Sequence, residues 1–131
     1  MNYELIARLQ EIDYSMHIRD IASGSLEPYI ISGLLAALFC LTGTGRSQAG
    51  SEYLNHNGIP SICVEGGLRY LREEMDRYSQ MQAISTLNRL PFLIAHIDKQ
   101  EKKDYLTLLS LMRVEYHQWP QEALASIQSR L

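Results

Sequence analysis

Between Leu34 and Leu41 the chain reads LLAALFCL, an unbroken apolar run that passes directly into TGTGRS. A run without helical alternation, leading into glycines, is the pattern of a strand buried on both faces and followed by a turn. A buried helix ending at Gly43 fits the same letters. Upstream, Leu5, Ile6, Leu9, Ile12, Met16 and Ile21 recur at three- and four-residue spacing. They predict an amphipathic helix from Tyr3 to about Ala22, ended by the SGS of 23–25.

Downstream of the glycines, Ala49, Tyr53 and Leu54 define one side of a short helix that stops at Asn57-Gly58. IPSICV then predicts a short strand, broken by Gly66-Gly67. Leu68, Leu71, Met75, Tyr78 and Met81 continue at helical spacing, so residues 68–90 read as one helix closed by Pro91. FLIAHI is a candidate central strand, DKQEKKDYLTLLSLM a helix with a Leu-rich face, and RVEYHQW a strand with alternating polarity. Pro120 precedes a last helix through QEALASIQSRL. Strand and helix patterns that alternate in this way imply right-handed βαβ crossovers. The expected fold is α/β, a small, mostly parallel sheet flanked by helices behind the N-terminal amphipathic helix.

Composition narrows the function classes. At 131 residues the chain has the length of one domain, and 46% hydrophobic residues suffice for a packed core. Residues 1–131 are read as a single domain, with 1–33 as its helical extension. The net charge of −3, with scattered basic residues, offers no footprint for nucleic acid. YIISGLLAALFCL is too short to span a bilayer, and the acidic amphipathic N-terminus is unlike a signal peptide. A soluble, cytoplasmic protein is expected, with Cys40 and Cys63 as free thiols. The histidines show no spacing that would assemble a metal site, and no cofactor is expected. His96, in the apolar strand FLIAHI, reads as a satisfied core histidine.

The chemistry sits in CLTGTGRS. In a loop that joins a strand end to a helix start, backbone amides curl inward and the helix N-terminus adds partial positive charge. Leu41, Thr42, Gly43, Thr44 and Gly45 would then form a cradle for a tetrahedral oxyanion, with Gly43 and Gly45 permitting the curl. Arg46 adds a planar fork that holds two oxygens at once. The same field favours Cys40 as a thiolate, and Ser47 stands in reach of its sulfur. Cys40, Arg46 and Ser47 are therefore the candidate catalytic residues. Cys63 also has an arginine six positions on, but Glu65 would repel an anion there, and Cys63 reads as core.

Cysteine, five residues, then Arg-Ser resembles the signature loop of cysteine-dependent protein tyrosine phosphatases, including the low-molecular-weight class. The stretch RSQAGSEYLNHNGIPSICVEGGLRYL is also similar to rhodanese-like domains, and the likeness covers residues 34–71. Rhodanese-like domains place their cysteine loop after several strands, whereas the low-molecular-weight phosphatases place it after the first. Here one predicted helix precedes the loop and two predicted strands follow VEGG, which is the phosphatase order. The resemblance implies a thiolate that attacks phosphorus, with a phosphorylated protein or a small phosphate ester as partner. The rhodanese-like alternative implies a sulfurtransferase whose Cys40 carries a persulfide.

The low-molecular-weight phosphatases also carry a general-acid aspartate just before a proline late in the chain. The corresponding place here is QWPQE, where Trp119 precedes Pro120. Glu122, Glu115 and Asp98 are the candidate substitutes. Without such an acid the chain reads as a protein-binding module that keeps the fold, its N-terminal helix serving as the docking element.

Overall fold

Strand β2, Ala36–Phe39, is buried along its whole length, with β3 (Ser61–Glu65) on one side and β4 (Phe92–Ala95) on the other. The apolar run is thus a strand at the centre of the sheet, which excludes the helical reading of the same letters. The computed structural model describes residues 15–97 and 102–116. Within them β1 (Ser15–His17) pairs with the outer side of β3, and β5 (Val114–Tyr116) with the outer side of β4. The order β1-β3-β2-β4-β5 is parallel throughout, so the expected α/β class holds.

The connections are helical. α1 (Ile18–Ala22) and α2 (Glu27–Ile31) lead from β1 to β2, and α3 (Arg46–His56) leads from β2 to β3. α4 (Gly67–Glu73) and α5 (Arg77–Leu87) lead from β3 to β4, and α6 (Lys102–Ser110) leads from β4 to β5. Side chains alternate across a strand, so each strand serves two cores. Ala37, Phe39, Ile62, Val64, Leu93 and Ala95 join Ile18, Ile21, Leu68, Leu71, Ala83, Ile84 and Leu87 in the larger cluster. Ala36, Leu38, Phe92 and Ile94 face the other way, onto Leu54 and Ile59. Among the described residues no helix is long and apolar enough to cross a membrane.

Three sequence expectations are corrected. Residues 15–17 form a strand, not part of a helix, and within 15–22 the helix is confined to Ile18–Ala22. The earlier part of the expected helix, 3–14, and the final helix after Pro120 lie outside the described residues. The expected helix over 68–90 is two helices. Asp76 starts the second by accepting a 2.7 Å hydrogen bond from the Ser79 amide, an N-cap that competes with continuing the first. The buried face of α5 is Ala83, Ile84 and Leu87, while Tyr78 and Met81 are exposed.

The face of α3 is the third correction. Ala49 and Tyr53 are exposed, and Ser47, Gly50, Ser51, Leu54 and Asn55 are buried. Small and polar residues let this helix lie close on β3, because each buried polar group finds a partner. Asn55 Nδ2 donates to the Ser61 carbonyl at 2.7 Å, the Ser61 amide donates to Asn55 Oδ1 at 3.0 Å, and Ser61 Oγ donates to the Ser51 carbonyl at 3.2 Å. Hydrogen bonds fix the position of α3, and with it the residues at its start.

Candidate functional site

The chain leaves β2 for β3 on one side and later crosses to β4 on the other, so the carboxyl ends of β2 and β4 border a topological switch point. Ligands of open α/β sheets bind in the crevice that such a reversal opens. A cleft of about 320 Å³ lies there, lined by Cys40, Leu41, Thr42, Thr44, Gly45, Arg46 and His96. Every sequence-predicted residue of the cysteine loop is at this cleft or immediately under it. A larger groove of about 500 Å³ lies between α1, α4 and α5, with Arg19, Tyr70, Asp76 and Tyr78 among its walls. It contains no cysteine and no strand end, so the chemistry is assigned to the smaller cleft.

The loop is held from below. The amides of Leu68 and Arg69, in the first turn of α4, donate to the carbonyls of Cys40 at 3.2 Å and Leu41 at 2.9 Å. The Gly43 amide donates to Cys40 Sγ at 3.2 Å. Gly43 has φ +75°, and a Cβ there would stand 2.3 Å from the Val64 carbonyl oxygen. Gly67 meets the loop from the other side: a Cβ on it would lie 2.4 Å from the Cys40 carbonyl oxygen and 2.6 Å from that of Leu41. The Gly-Gly pair of VEGG is therefore the floor of the cysteine loop.

Ser47 connects the two cysteines. Its Oγ lies 3.1 Å from Cys40 Sγ and 3.1 Å from Cys63 Sγ, and Cys63 donates to the Gly43 carbonyl at 3.2 Å. Both thiols are free and buried. Burial alone raises the pKa of Cys40, but the Ser47 hydroxyl and the amides of Ser47, Gly43 and Thr42 outweigh it, and the net shift is downward. Burial dominates at Cys63, whose pKa is pushed up to about 11, with the neighbouring Cys40 charge adding to the rise against the Ser47 hydrogen bond. The protons follow from this pairing: Cys63 keeps its hydrogen and gives it to Gly43, so the Ser47 hydroxyl is available to stabilise a Cys40 thiolate. Cys63 is a core residue, as its sequence suggests, and also a support for the loop.

Arg46 is the first residue of α3, whose cap is Gly45 with no side-chain hydrogen bond. The exposed guanidinium reaches across the cleft to His96, its NH1 against His96 Nε2. His96 follows β4, and its amide prolongs the ladder by donating to the Phe39 carbonyl at 3.0 Å. The reading of His96 as a core histidine is thereby corrected: its ring is half-buried and forms a wall of the cleft. The sequence signal was its place directly after an apolar strand, but only the strand order reveals that this strand adjoins β2. Of the candidate acids, Asp98 and Glu122 lie outside the described residues, and of Glu115 only its backbone in β5 is described.

The arrangement unites a thiol of lowered pKa, amides directed at its sulfur, a helix N-terminus and a guanidinium at one strand end. Such a set can hold a tetrahedral anion above a thiolate. Compared with protein-family models, curated proteins and solved structures, the chain has no match.

Proposed function

We propose that the protein is a cysteine-dependent phosphatase acting on phosphate monoesters, phosphotyrosine among them. The observation that carries this reading is the set of donors around Cys40 Sγ, the Ser47 hydroxyl at 3.1 Å and the Gly43 amide at 3.2 Å, beside Arg46, which hold the thiol's pKa down against its own burial. The resemblance of CLTGTGRS to the phosphatase loop supports it independently of the geometry.

In the reaction, the Cys40 thiolate attacks phosphorus, the S–P bond forms, and the P–O bond to the leaving group breaks in line with it. Loop amides and Arg46 hold the three equatorial oxygens, where negative charge accumulates. Water then attacks phosphorus, the S–P bond breaks, and inorganic phosphate leaves with Cys40 again a thiolate. Gly66-Gly67, the feature shared with rhodanese-like domains, is accounted for by packing under the loop and does not favour sulfur transfer.

Turnover of 4-nitrophenyl phosphate, with the phosphocysteine trapped by rapid acid quench and located by peptide mass, tests the reading. The expected result is a phosphoryl group on Cys40 and, in Arg46→Lys, a kcat/KM lower by roughly 10²-fold, because an ammonium cannot reproduce the two parallel N–H donors. Persulfide on Cys40 after thiosulfate treatment, with no phosphocysteine, would overturn it in favour of sulfur transfer.

A further inference from the structure

We infer that His96 is the proton donor to the leaving oxygen and, in the second step, the acceptor of the proton from the attacking water. This inference rests on the phosphatase reading and supplies the acid that the QWPQE segment does not offer at its Trp119-Pro120 position.

Position carries it first. Cys40 follows β2 and His96 follows β4, neighbouring parallel strands in which Phe39 is paired with Ala95. The two residues therefore leave the sheet side by side, at the same level of the same crevice, and both line the cleft. The main chain fixes His96 there through its bond to Phe39. A phosphate held by the loop would lie in the cleft that His96 lines on the β4 side, where its ring meets the Arg46 guanidinium.

Hydrogen-bond chemistry carries it second. A guanidinium only donates, so in the contact with Arg46 the His96 Nε2 accepts. A bound phosphate dianion competes for the guanidinium fork, since bidentate charge-assisted bonds to oxygens are stronger than one to a neutral nitrogen. Nε2 is then released beside the bound phosphate. Among the described residues, the charged or titratable groups that line the cleft with His96 are Arg46, from the start of α3, and Cys40, from the loop.

When the ester displaces Arg46, Nε2 takes up one proton from solvent, and the step then balances without a further reagent. As the S–P bond forms and the P–O bond breaks, the Nε2 hydrogen passes to the leaving oxygen and the alcohol or phenol departs. The neutral ring then takes a proton from water as its oxygen attacks phosphorus and the S–P bond breaks, restoring the imidazolium.

An acid on the leaving group matters most when that group is a poor one. The test compares phenyl phosphate with 2,4-dinitrophenyl phosphate in the wild type, His96→Gln and His96→Asn, with pH profiles for both. Phosphate protection of Cys40 against iodoacetamide checks that each variant keeps the cradle. The expected result is a kcat/KM loss of roughly 10²-fold for phenyl phosphate, with a loss about tenfold smaller for the dinitrophenyl ester. Both variants should also lose the basic limb that an imidazolium donor imposes on the pH profile. Equal losses on both esters with the limb retained would reduce His96 to a positioning residue for Arg46 and overturn the inference. An unchanged rate on both would overturn it as well, and the phosphatase reading would stand. Failure of the wild type to form phosphocysteine from either ester would overturn both.

Discussion

Cys40→Ser is expected to lose phosphomonoester turnover by about 10⁴-fold or more while it still binds phosphate. Removing a covalent nucleophile eliminates the route itself, and losses of this size are what nucleophile deletions give in other covalent enzymes. A serine hydroxyl in the same place has Ser47 and the Gly43 amide around it, but those donors stabilise an anion. They provide no base to form an alkoxide. The cradle remains, because the Leu68 and Arg69 amides bind the main-chain carbonyls of residues 40 and 41, which the substitution leaves in place. Removing the thiolate also removes a like charge from beneath the bound dianion, so phosphate affinity should hold or rise. Steady-state kinetics and calorimetric titration with inorganic phosphate measure the two effects. Turnover within tenfold of the wild type would show that Cys40 is not the nucleophile.

The second large effect falls outside the loop. Gly67→Ala places a methyl group 2.4 Å from the Cys40 carbonyl oxygen and 2.6 Å from that of Leu41, atoms of the main chain that the Leu68 and Arg69 amides also hold. The backbone there has φ +57°, so alanine adds conformational strain to the collision. A cost of about 3 kcal/mol or more is expected, equivalent to roughly 10 °C in Tm for a domain of this size. Gly24→Ala is the control. Its φ is +98° but a Cβ would meet nothing within 4 Å, so only the strain applies and the loss should be about 1 kcal/mol. Thermal unfolding of the two variants separates the collision from the strain. If Gly67→Ala were no more costly than Gly24→Ala, α4 would not be the floor of the cysteine loop.

The segment from Leu34 to Gly58 was the most legible part of the chain, because an apolar strand, a glycine turn and a helix follow one another without interruption. β1 was hidden: an edge strand of three half-buried residues, Ser15, Met16 and His17, leaves no period of its own, and Met16 and Ile21 fit a helical spacing that is only partly real. The break before Asp76 was hidden in the same way, since Met75, Tyr78 and Met81 continue the spacing of Leu68 and Leu71 although two helices share it. Asp76 followed by Ser79 was the available signal. The buried face of α3 escaped a search for apolar positions because it is built from Ser47, Gly50, Ser51 and Asn55, whose burial is made tolerable by hydrogen bonds.

At the site the division is similar. Cys40, Arg46 and Ser47 are close in sequence, and local chemistry was enough to single them out. His96 and Gly67 join them only through parallel pairing and strand order, which no local pattern encodes. Cys63 was read correctly as buried, yet its hold on the Gly43 carbonyl, and its share of Ser47 with Cys40, required the fold to bring residues 43, 47 and 63 together.

The central claim is that Cys40 is an activated thiolate beneath an anion cradle, and iodoacetamide labelling against pH tests it most directly, each site read by peptide mass with and without phosphate. A thiol of lowered pKa ionises at lower pH, so alkylation of Cys40 should rise and level off at lower pH than that of an ordinary thiol. Cys63, pushed up to about 11, stays protonated over that range and should label only in strong alkali. Phosphate should slow labelling at Cys40 alone. If Cys40 labels no faster than Cys63 at neutral pH and phosphate changes neither rate, the loop is a glycine turn over a buried cysteine and the account is contradicted.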